Sequence, residues 1–282
     1  NSNVATVTTV AFLYSIKVPL FLFDAVTAFL VWYLVRDVTK DDRKAVAAFG
    51  IAFLSPVVLM SSGVIAMPDT ISAMFSIMTV VLLRKDHPFI AGMTFSISVF
   101  TKFFPVFLIF ILVAYVLMKD RDDVRKGLMG VVCAIAGFLL MSLILFMPQI
   151  LEGNLAECFQ FLTDRTGMSE DGTVLDAIMG IFRIATYVLI LLTSLYVAYV
   201  AYRDRQSDSF EILMRGCLIV MAVSLLYPPN TQYIVSLIPY LAYWIVVKHD
   251  TMMKAWWLLA IGAILCAFST NVSTLMPMVV SW

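Results

Sequence analysis

Apolar runs close to membrane-spanning length recur along this chain from Val18 to Val280, with short polar segments between them. A helix that crosses a bilayer needs about 20 predominantly apolar residues. Of the 282 residues, 62% are hydrophobic and only 13% are charged, whereas soluble domains carry roughly 25% charged residues. The apolar runs occupy most of the chain and leave no room for a soluble domain. We therefore predict an all-α, polytopic integral membrane protein, with residues 1–282 forming one transmembrane domain.

About ten transmembrane helices are predicted from these runs and the polar turns that separate them. Three of them, the third to the fifth along the chain, are short for a full membrane crossing. We expect these either to be half-helices or to pack inside the bundle, because irregular backbone at membrane depth must be buried by protein or line a cavity. The predicted helices are 18–36, 45–62, 70–84, 88–101, 104–118, 127–148, 177–202, 211–226, 231–247 and 253–272.

The basic residues indicate which side of the membrane each loop faces. Of the 19 Lys and Arg residues, 15 fall in or beside alternate loops, and the other four are Lys17, Lys102, Arg165 and Arg183. Cytoplasmic loops carry an excess of Lys and Arg, so the 15 mark the cytoplasmic side, where neighbouring acids predict self-paired loops. Both termini and the one long connection, 149–176, are then expected on the outer side, with a surface helix near 155–162.

Two acidic residues are expected within the membrane or at its outer edge. A charged side chain inside a span costs about 2.5–3.5 kcal/mol on insertion scales, so each needs a partner or a function. Asp24 lies two helical turns beyond Lys17, which is itself a candidate substrate-binding residue on the outer side. It is either a buried acid that lines an outer cavity or a structural carboxylate bonded to a neighbouring helix. Asp69 follows Pro68 at a predicted helix start, where it either caps the helix or binds a metal or a sugar hydroxyl.

Three bases on the outer side are candidates for binding a phosphate. Lys102 lies in the tight turn TKFFP between two apolar helices, where it either binds an anion near the start of the next helix or reaches the headgroups by snorkelling. Arg165 and Arg183 offer the planar guanidinium that suits phosphate, although Arg165 has Asp164 beside it as an alternative partner. The sequence assigns no cofactor, and the outer carboxylates are compatible with a divalent cation.

The last outer loop, YPPNTQY, is rich in groups that hydrogen-bond hydroxyls. Asn230, Gln232 and Tyr233 follow a pair of prolines, which makes the loop rigid. We expect these side chains to bind a hydroxyl-rich ligand, and packing at the membrane interface is the alternative for the aromatic residues. The formal net charge of zero gives no indication of nucleic-acid binding.

Four segments of the chain, in this order, resemble one family of membrane enzymes. They are KVPLFLFDAVTAFLVWYLV, SPVVLMSSGVIAMPDTISAMF, AGMTFSISVFTKFFPVFLIF and PPNTQYIVSLIPYLAYW. The first is similar to an early helix with Lys-x-Pro and a buried Asp, and the second to a Ser-Pro segment that leads to an Asp. The third resembles a Lys-x-x-Pro turn and the fourth a Gln-Tyr loop. Together they resemble the polytopic GT-C glycosyltransferases that use a polyprenyl-phosphate sugar donor, especially archaeal and GPI-mannosyltransferase-like members.

This resemblance implies transfer of a hexose, with mannose foremost, from a polyprenyl-phosphate carrier such as dolichyl phosphate to an acceptor at the outer face. By the same resemblance, Lys102 would contact the donor phosphate, and Arg165 or Arg183 would assist it. Asp24 would be an inner structural acid of the cavity. The residues that would line the sugar or acceptor site are Asp69, Gln232 and Tyr233.

The chain departs from the family pattern at its start. The family's catalytic acid usually lies in the first outer loop, and this sequence begins after that point, without an Asp-Asp pair or Glu-x-Asp near Asn1. Asp69 is then the catalytic candidate within the chain, and we expect the general base upstream or on another chain. A start on the outer side without a signal peptide also predicts a preceding helix. Two other functions stay open, a non-catalytic membrane subunit or scaffold and a transporter or flippase of a lipid-linked solute, although the paired repeats of transporters are not evident.

Overall fold

A computed structural model describes residues 10–157, 174–226, 231–248 and 251–270, and these residues form helices and no strand. The α-helices are α1 (Val10–Thr39), α2 (Asp42–Phe53), α3 (Pro56–Val58), α4 (Asp69–Arg84), α5 (Pro88–Thr101), α6 (Ile109–Lys119), α7 (Val124–Glu152), α8 (Val174–Arg203), α9 (Ser209–Ser224), α10 (Ile238–Val247) and α11 (Met252–Thr270). A π-helix, Leu59–Ile65, continues α3, and 3-10 helices at Phe104–Leu108 and Thr231–Ser236 precede α6 and α10.

Most residues of the predicted helices are helical in the structure. The predicted helix 45–62 is interrupted at Leu54 and Ser55, just before Pro56 begins α3. Residues 63–65 were expected in an outer loop, but they form the second part of the π-helix. Its hydrogen bonds join residues five apart, so the polar run around Ser61 and Ser62 keeps its backbone bonded. The turn is confined to residues 66–68, and Ala66 takes the left-handed conformation with φ of 60°.

The helices have the length and the exposed surface of membrane-embedded elements. Within the described residues, those long and apolar enough to cross a membrane are Tyr14–Thr39, Asp42–Ile65, Val124–Glu152 and Gly180–Arg203. Only 6% of the most apolar stretch of α7 is buried, and large side chains such as Leu139 and Leu143 are exposed. Water-soluble proteins rarely expose apolar patches of that extent. The prediction of an all-α integral membrane protein is confirmed, while the number of spans stays a prediction.

The chain divides into two compact units, and the first contains residues 1–77 and 231–282. Its innermost helix is α10, in which every residue from Ile238 to Ile245 is buried. Helices α1, α2 and α11 pack against it. The hydroxyl of Tyr240 on α10 lies 2.6 Å from the hydroxyl of Ser76 on α4. The single transmembrane domain proposed from the sequence stays a prediction.

The second unit, residues 78–230, is built on a very close approach of α5 and α7. A Cβ atom added at Gly92 would lie 1.9 Å from the carbonyl oxygen of Ala134, and one added at Gly137 would lie 1.9 Å from that of Phe89. Helix α6 packs against α7, α8 and α9. Helix α5 has 14 residues, half of them buried, and at about 1.5 Å per residue it is too short to span a bilayer. Both arrangements expected for the short helices are compatible with this length.

Ion pairs join the loops that carry most of the basic residues. Lys119 Nζ lies 2.7 Å from Asp86 Oδ1 and also donates to the carbonyl of Arg84 at 3.1 Å. These contacts place the α4–α5 and α6–α7 turns at the same end of the second unit. In the first unit, Arg36 Nε lies 2.7 Å from Asp42 Oδ1. The prediction of self-paired loops is confirmed, and the side of the membrane that they face stays a prediction.

Replacing Gly137 by Ala should destabilise the second unit. The added Cβ would fall far inside the contact distance of the Phe89 carbonyl, and relieving such overpacking costs roughly 1–3 kcal/mol. We expect a lower midpoint of thermal unfolding in detergent. Gly50→Ala is the matched control, because a Cβ there meets nothing within 4 Å and Ala is favoured over Gly inside a helix. Equal midpoints for the two variants would contradict the close packing of α5 and α7.

Candidate functional site

Two carboxyl groups lie inside the first unit. Asp24 on α1 is 4% exposed and Asp69 is 1% exposed. Asp69 is the first residue of α4, whereas one of the two roles open from the sequence has it cap the helix. Carboxyl groups are costly to bury unless hydrogen bonds compensate for the lost water. Each acid therefore needs polar groups around it, and these define the candidate site.

Thr70 connects the two acids. Its hydroxyl donates to Asp24 Oδ1, from α4 across to α1, and it follows Asp69 directly in the chain. Thr70 is itself only 1% exposed, so this hydrogen bond is closed off from the surface. A hydrogen bond to a neighbouring helix is one of the two roles that the sequence left open for Asp24, namely the structural one.

The π-helix adds buried hydroxyls beside Asp24. Ser61 and Ser62 are 2% and 1% exposed, and Ser62 lies next to the Asp24 carboxyl group. Ser62 is a hydrogen-bond partner of that carboxyl group, whereas the Ser61 hydroxyl makes no hydrogen bond within the described part of the chain. Buried polar groups normally have partners, so the Ser61 hydroxyl holds unused hydrogen-bonding capacity. Stretches of π-helix often occur at functional sites, and the pair of serines before a Gly is the sequence signal that would have pointed to them.

A small cavity lies beside this cluster. Its volume is about 10 Å³, which is room for about one water molecule. Asp24, Thr27 and Thr70 supply its polar walls, and Val235 supplies part of its apolar wall. In the structure, the cavity thus brings together Asp24, the start of α4 and the 3-10 helix Thr231–Ser236.

Two other predicted site residues of the first unit are less buried than Asp24 and Asp69. Tyr233, in the same 3-10 helix as Val235, is half-buried, and Lys17 is half-buried on α1. Lys17 precedes Asp24 by two helical turns, about 10 Å along the axis, and so lies on the same face. Asn230 and the side chain of Gln232 lie outside the described residues. Among the residues described, no three His, Cys, Asp or Glu side chains gather as a metal-ligand group.

Lys102 occupies the predicted turn in the second unit. It ends α5 in an extended conformation, and its amide donates to the carbonyl of Ser98 at 3.1 Å. The 3-10 helix Phe104–Leu108 begins directly afterwards, with Pro105 in its first turn. The side chain of Lys102 is half-buried, whereas that of Phe103 is 51% exposed. The backbone therefore holds this base at a fixed point between two helices.

Of the two predicted phosphate-binding arginines, the structure describes only Arg183. Arg183 on α8 is half-buried, although its neighbours Phe182 and Ile184 are 62% and 64% exposed. Its guanidinium thus belongs to the face of α8 that turns away from lipid. Arg165 lies outside the described residues, as does most of the outer connection and of the surface helix predicted near 155–162.

Comparison with known proteins identifies the family. Residues 4–229 match the family model of glycosyltransferase family 87, and no curated protein or solved structure matches the chain. The matched region covers well over half of the sequence and includes Asp24, the π-helix, Asp69, Lys102 and Arg183. The expected glycosyltransferase resemblance is confirmed at this level. The chain therefore belongs to glycosyltransferase family 87 and is a membrane glycosyltransferase.

Proposed function

We propose that this protein transfers a hexose, with mannose foremost, from a polyprenyl-phosphate carrier such as dolichyl phosphate to an acceptor at the outer face of the membrane. The observation that carries the proposal is the match of residues 4–229 to a glycosyltransferase family model. The exposed apolar face of α7 suits a donor whose carrier stays in the bilayer.

The proposed reaction sets the chemical groups that the site must contain. The bond between the sugar C1 and a phosphate oxygen breaks, and a bond between C1 and an acceptor oxygen forms. The acceptor hydroxyl gives its proton to a carboxylate acting as general base. Polyprenyl phosphate leaves as an anion, and cationic groups stabilise the charge that develops on it.

Lys102 is the residue that we assign to the donor phosphate. Its support is the fixed turn at the end of α5 and a half-buried ammonium group beside an exposed aromatic residue. Arg183, turned away from the lipid side of α8, and Arg165 are assigned as its helpers. A guanidinium can bond two phosphate oxygens at once, which suits a helper that orients the leaving group.

The sugar or acceptor is assigned to residues of the first unit. Asp69 is the candidate carboxylate within this chain, and Gln232, Tyr233 and Asn230 would bond sugar hydroxyls. The support is that the start of α4 and the 3-10 helix Thr231–Ser236 meet near one buried cavity. Asp24 is assigned as the inner structural acid because Thr70 holds it. Lys17, on the same face of α1, would contact the ligand nearer the membrane surface.

The donor class can be tested directly. Membranes that contain the full-length gene product would be incubated with radiolabelled polyprenyl-phosphate mannose, polyprenyl-phosphate glucose or GDP-mannose. We expect label to reach an acceptor from polyprenyl-phosphate mannose and not from GDP-mannose when lipid-carrier synthesis is blocked. Transfer from GDP-mannose under that block would contradict a lipid-linked donor, and preference for the glucose donor would contradict the mannose assignment.

Lys102→Ala should lower turnover about 10²–10³-fold, the usual cost of removing one group that stabilises developing charge. Lys44→Ala is the control, because Lys44 is an exposed base on α2 with no assigned role. Both variants should unfold at the wild-type midpoint, and Lys102→Arg should recover part of the activity. Unchanged turnover in Lys102→Ala would remove Lys102 from the site.

Thr70→Val tests the structural role of Asp24. Loss of the hydroxyl leaves Asp24 Oδ1 without its bond, which should cost roughly 1–3 kcal/mol of stability. Thr27→Val is the matched control, since the Thr27 hydroxyl donates only to the Phe23 carbonyl of its own helix, at 2.8 Å. We expect a lower unfolding midpoint for Thr70→Val alone. An unchanged midpoint with lost turnover would show instead that Asp24 acts on the substrate.

A further inference from the structure

The second unit contains a cavity of about 200 Å³ that the proposed reaction does not use. Helices α4, α5, α6 and α7 all contribute to its wall. The wall includes Leu83 on α4, Phe95 on α5, Val113 on α6 and Ala134 on α7. Gly92 and Ala134 line the cavity where α5 and α7 meet.

The wall of this cavity is hydrocarbon. Thr79 is the one lining residue with a polar side chain, and its hydroxyl lies 2.9 Å from that of Thr94. Thr94 in turn donates to the carbonyl of Ala91 at 2.9 Å. Both hydroxyls thus have partners within the protein. Apolar cavities do not hold ordered water and take apolar ligands instead, so the chemistry of this wall selects a hydrocarbon chain.

The cavity lies toward the end of the unit that carries the basic loops. Leu83 directly precedes the last residue of α4, and Val116 is one turn before Lys119 at the end of α6. On α7, Val131 lies about 10 Å from the helix start at a rise of about 1.5 Å per residue. Loops rich in Lys and Arg face the cytoplasm. With the basic loops on the cytoplasmic side, as the sequence predicts, the cavity falls in the cytoplasmic half of the bilayer.

The cavity is open to lipid along α7. Ile135 contributes to its wall and is also 50% exposed, so this residue belongs both to the cavity and to the outer surface. Val132, one helical position from Val131, is 53% exposed and does not line the cavity. A chain from the surrounding bilayer can therefore enter sideways past α7.

A base in the first turn of α7 suits a phosphate group. Arg125, in the first turn of α7, is exposed and makes no ion pair with any residue that the structure describes. Its neighbour Lys126 is paired with Asp120, and Lys119 is paired with Asp86. A guanidinium near the membrane surface binds phosphate through its planar fork.

We propose that this cavity is a binding site for an acyl chain of an anionic phospholipid of the cytoplasmic leaflet, with the lipid phosphate at Arg125. The bound chain fills the space beside Phe95 and Val131. The site is separate from the donor and acceptor assignments, so it stands whether or not those are correct.

The test uses the full-length protein in phosphatidylcholine nanodiscs that contain phosphatidylglycerol with a photoactivatable group in its acyl chain. We expect cross-links on the cavity-lining positions of α5 and α7, and unlabelled phosphatidylglycerol should compete. Val131→Phe should abolish these cross-links by filling the cavity, while Val132→Phe, the same change on the lipid-facing side, should keep them. Val113→Phe fills the cavity from α6 and serves if Val131→Phe does not fold. Arg125→Gln should reduce the labelling.

Three results would overturn the proposal. Equal labelling of Val131→Phe, Val113→Phe and Val132→Phe would show contact with lipid only at the outer surface. Competition by unlabelled polyprenyl phosphate, without competition by phosphatidylglycerol, would assign the cavity to the carrier chain. Labelling no stronger than on the exposed face of α7 would show that no chain is bound.

Discussion

Inside a bilayer, a polar group that does not bond to another protein group has no water to bond to. The described residues satisfy this requirement in each unit by hydrogen bonds between helices. In the second unit, the hydroxyls of Ser96 and Ser142 lie 3.1 Å apart and join α5 to α7. In the first unit, Thr70 bonds Asp24 across two helices. The π-helix follows the same rule, because it keeps a polar segment helical and its backbone bonded.

The main exception to this rule lies in the first unit. The Ser61 hydroxyl is buried and makes no hydrogen bond with described residues, while Ser62 and Thr70 both bond the Asp24 carboxyl group. These groups gather where the π-helix meets α1, beside a cavity that the start of α4 also lines. That cavity has a volume of about 10 Å³, room for about one water molecule, so the cluster fits a structural role for Asp24. In the second unit, by contrast, the hydroxyls of Thr79 and Thr94 near the cavity are hydrogen-bonded to each other. The rest of the cavity wall is apolar and favours a hydrocarbon ligand.

Much of the fold was predictable because membrane helices are specified locally. Predicted and observed bounds coincide for α5, Pro88–Thr101. This helix begins at Pro88, and Lys102 is the capping residue at its C-terminal end. The ends of the π-helix were not predictable, because its hydrogen bonds depend on what packs against residues 59–65. The site was predicted in part. Asp24 and Asp69 stand out as acids in apolar surroundings, whereas Thr70, Ser61 and Ser62 are common residues whose importance depends on neighbours distant in the chain.

The sequence by itself determined that this chain is an all-α membrane protein, where its helices lie and which acids and bases need an explanation. These conclusions follow from hydrophobicity, helix length and the cost of charge in hydrocarbon, and all three can be read along the chain. Only the tertiary structure decided that Thr70 bonds Asp24 and that the two hydroxyls near the second unit's cavity bond each other. Each of those pairings joins residues on different helices, and which faces of two helices meet depends on packing, such as the approach allowed by Gly92 and Gly137.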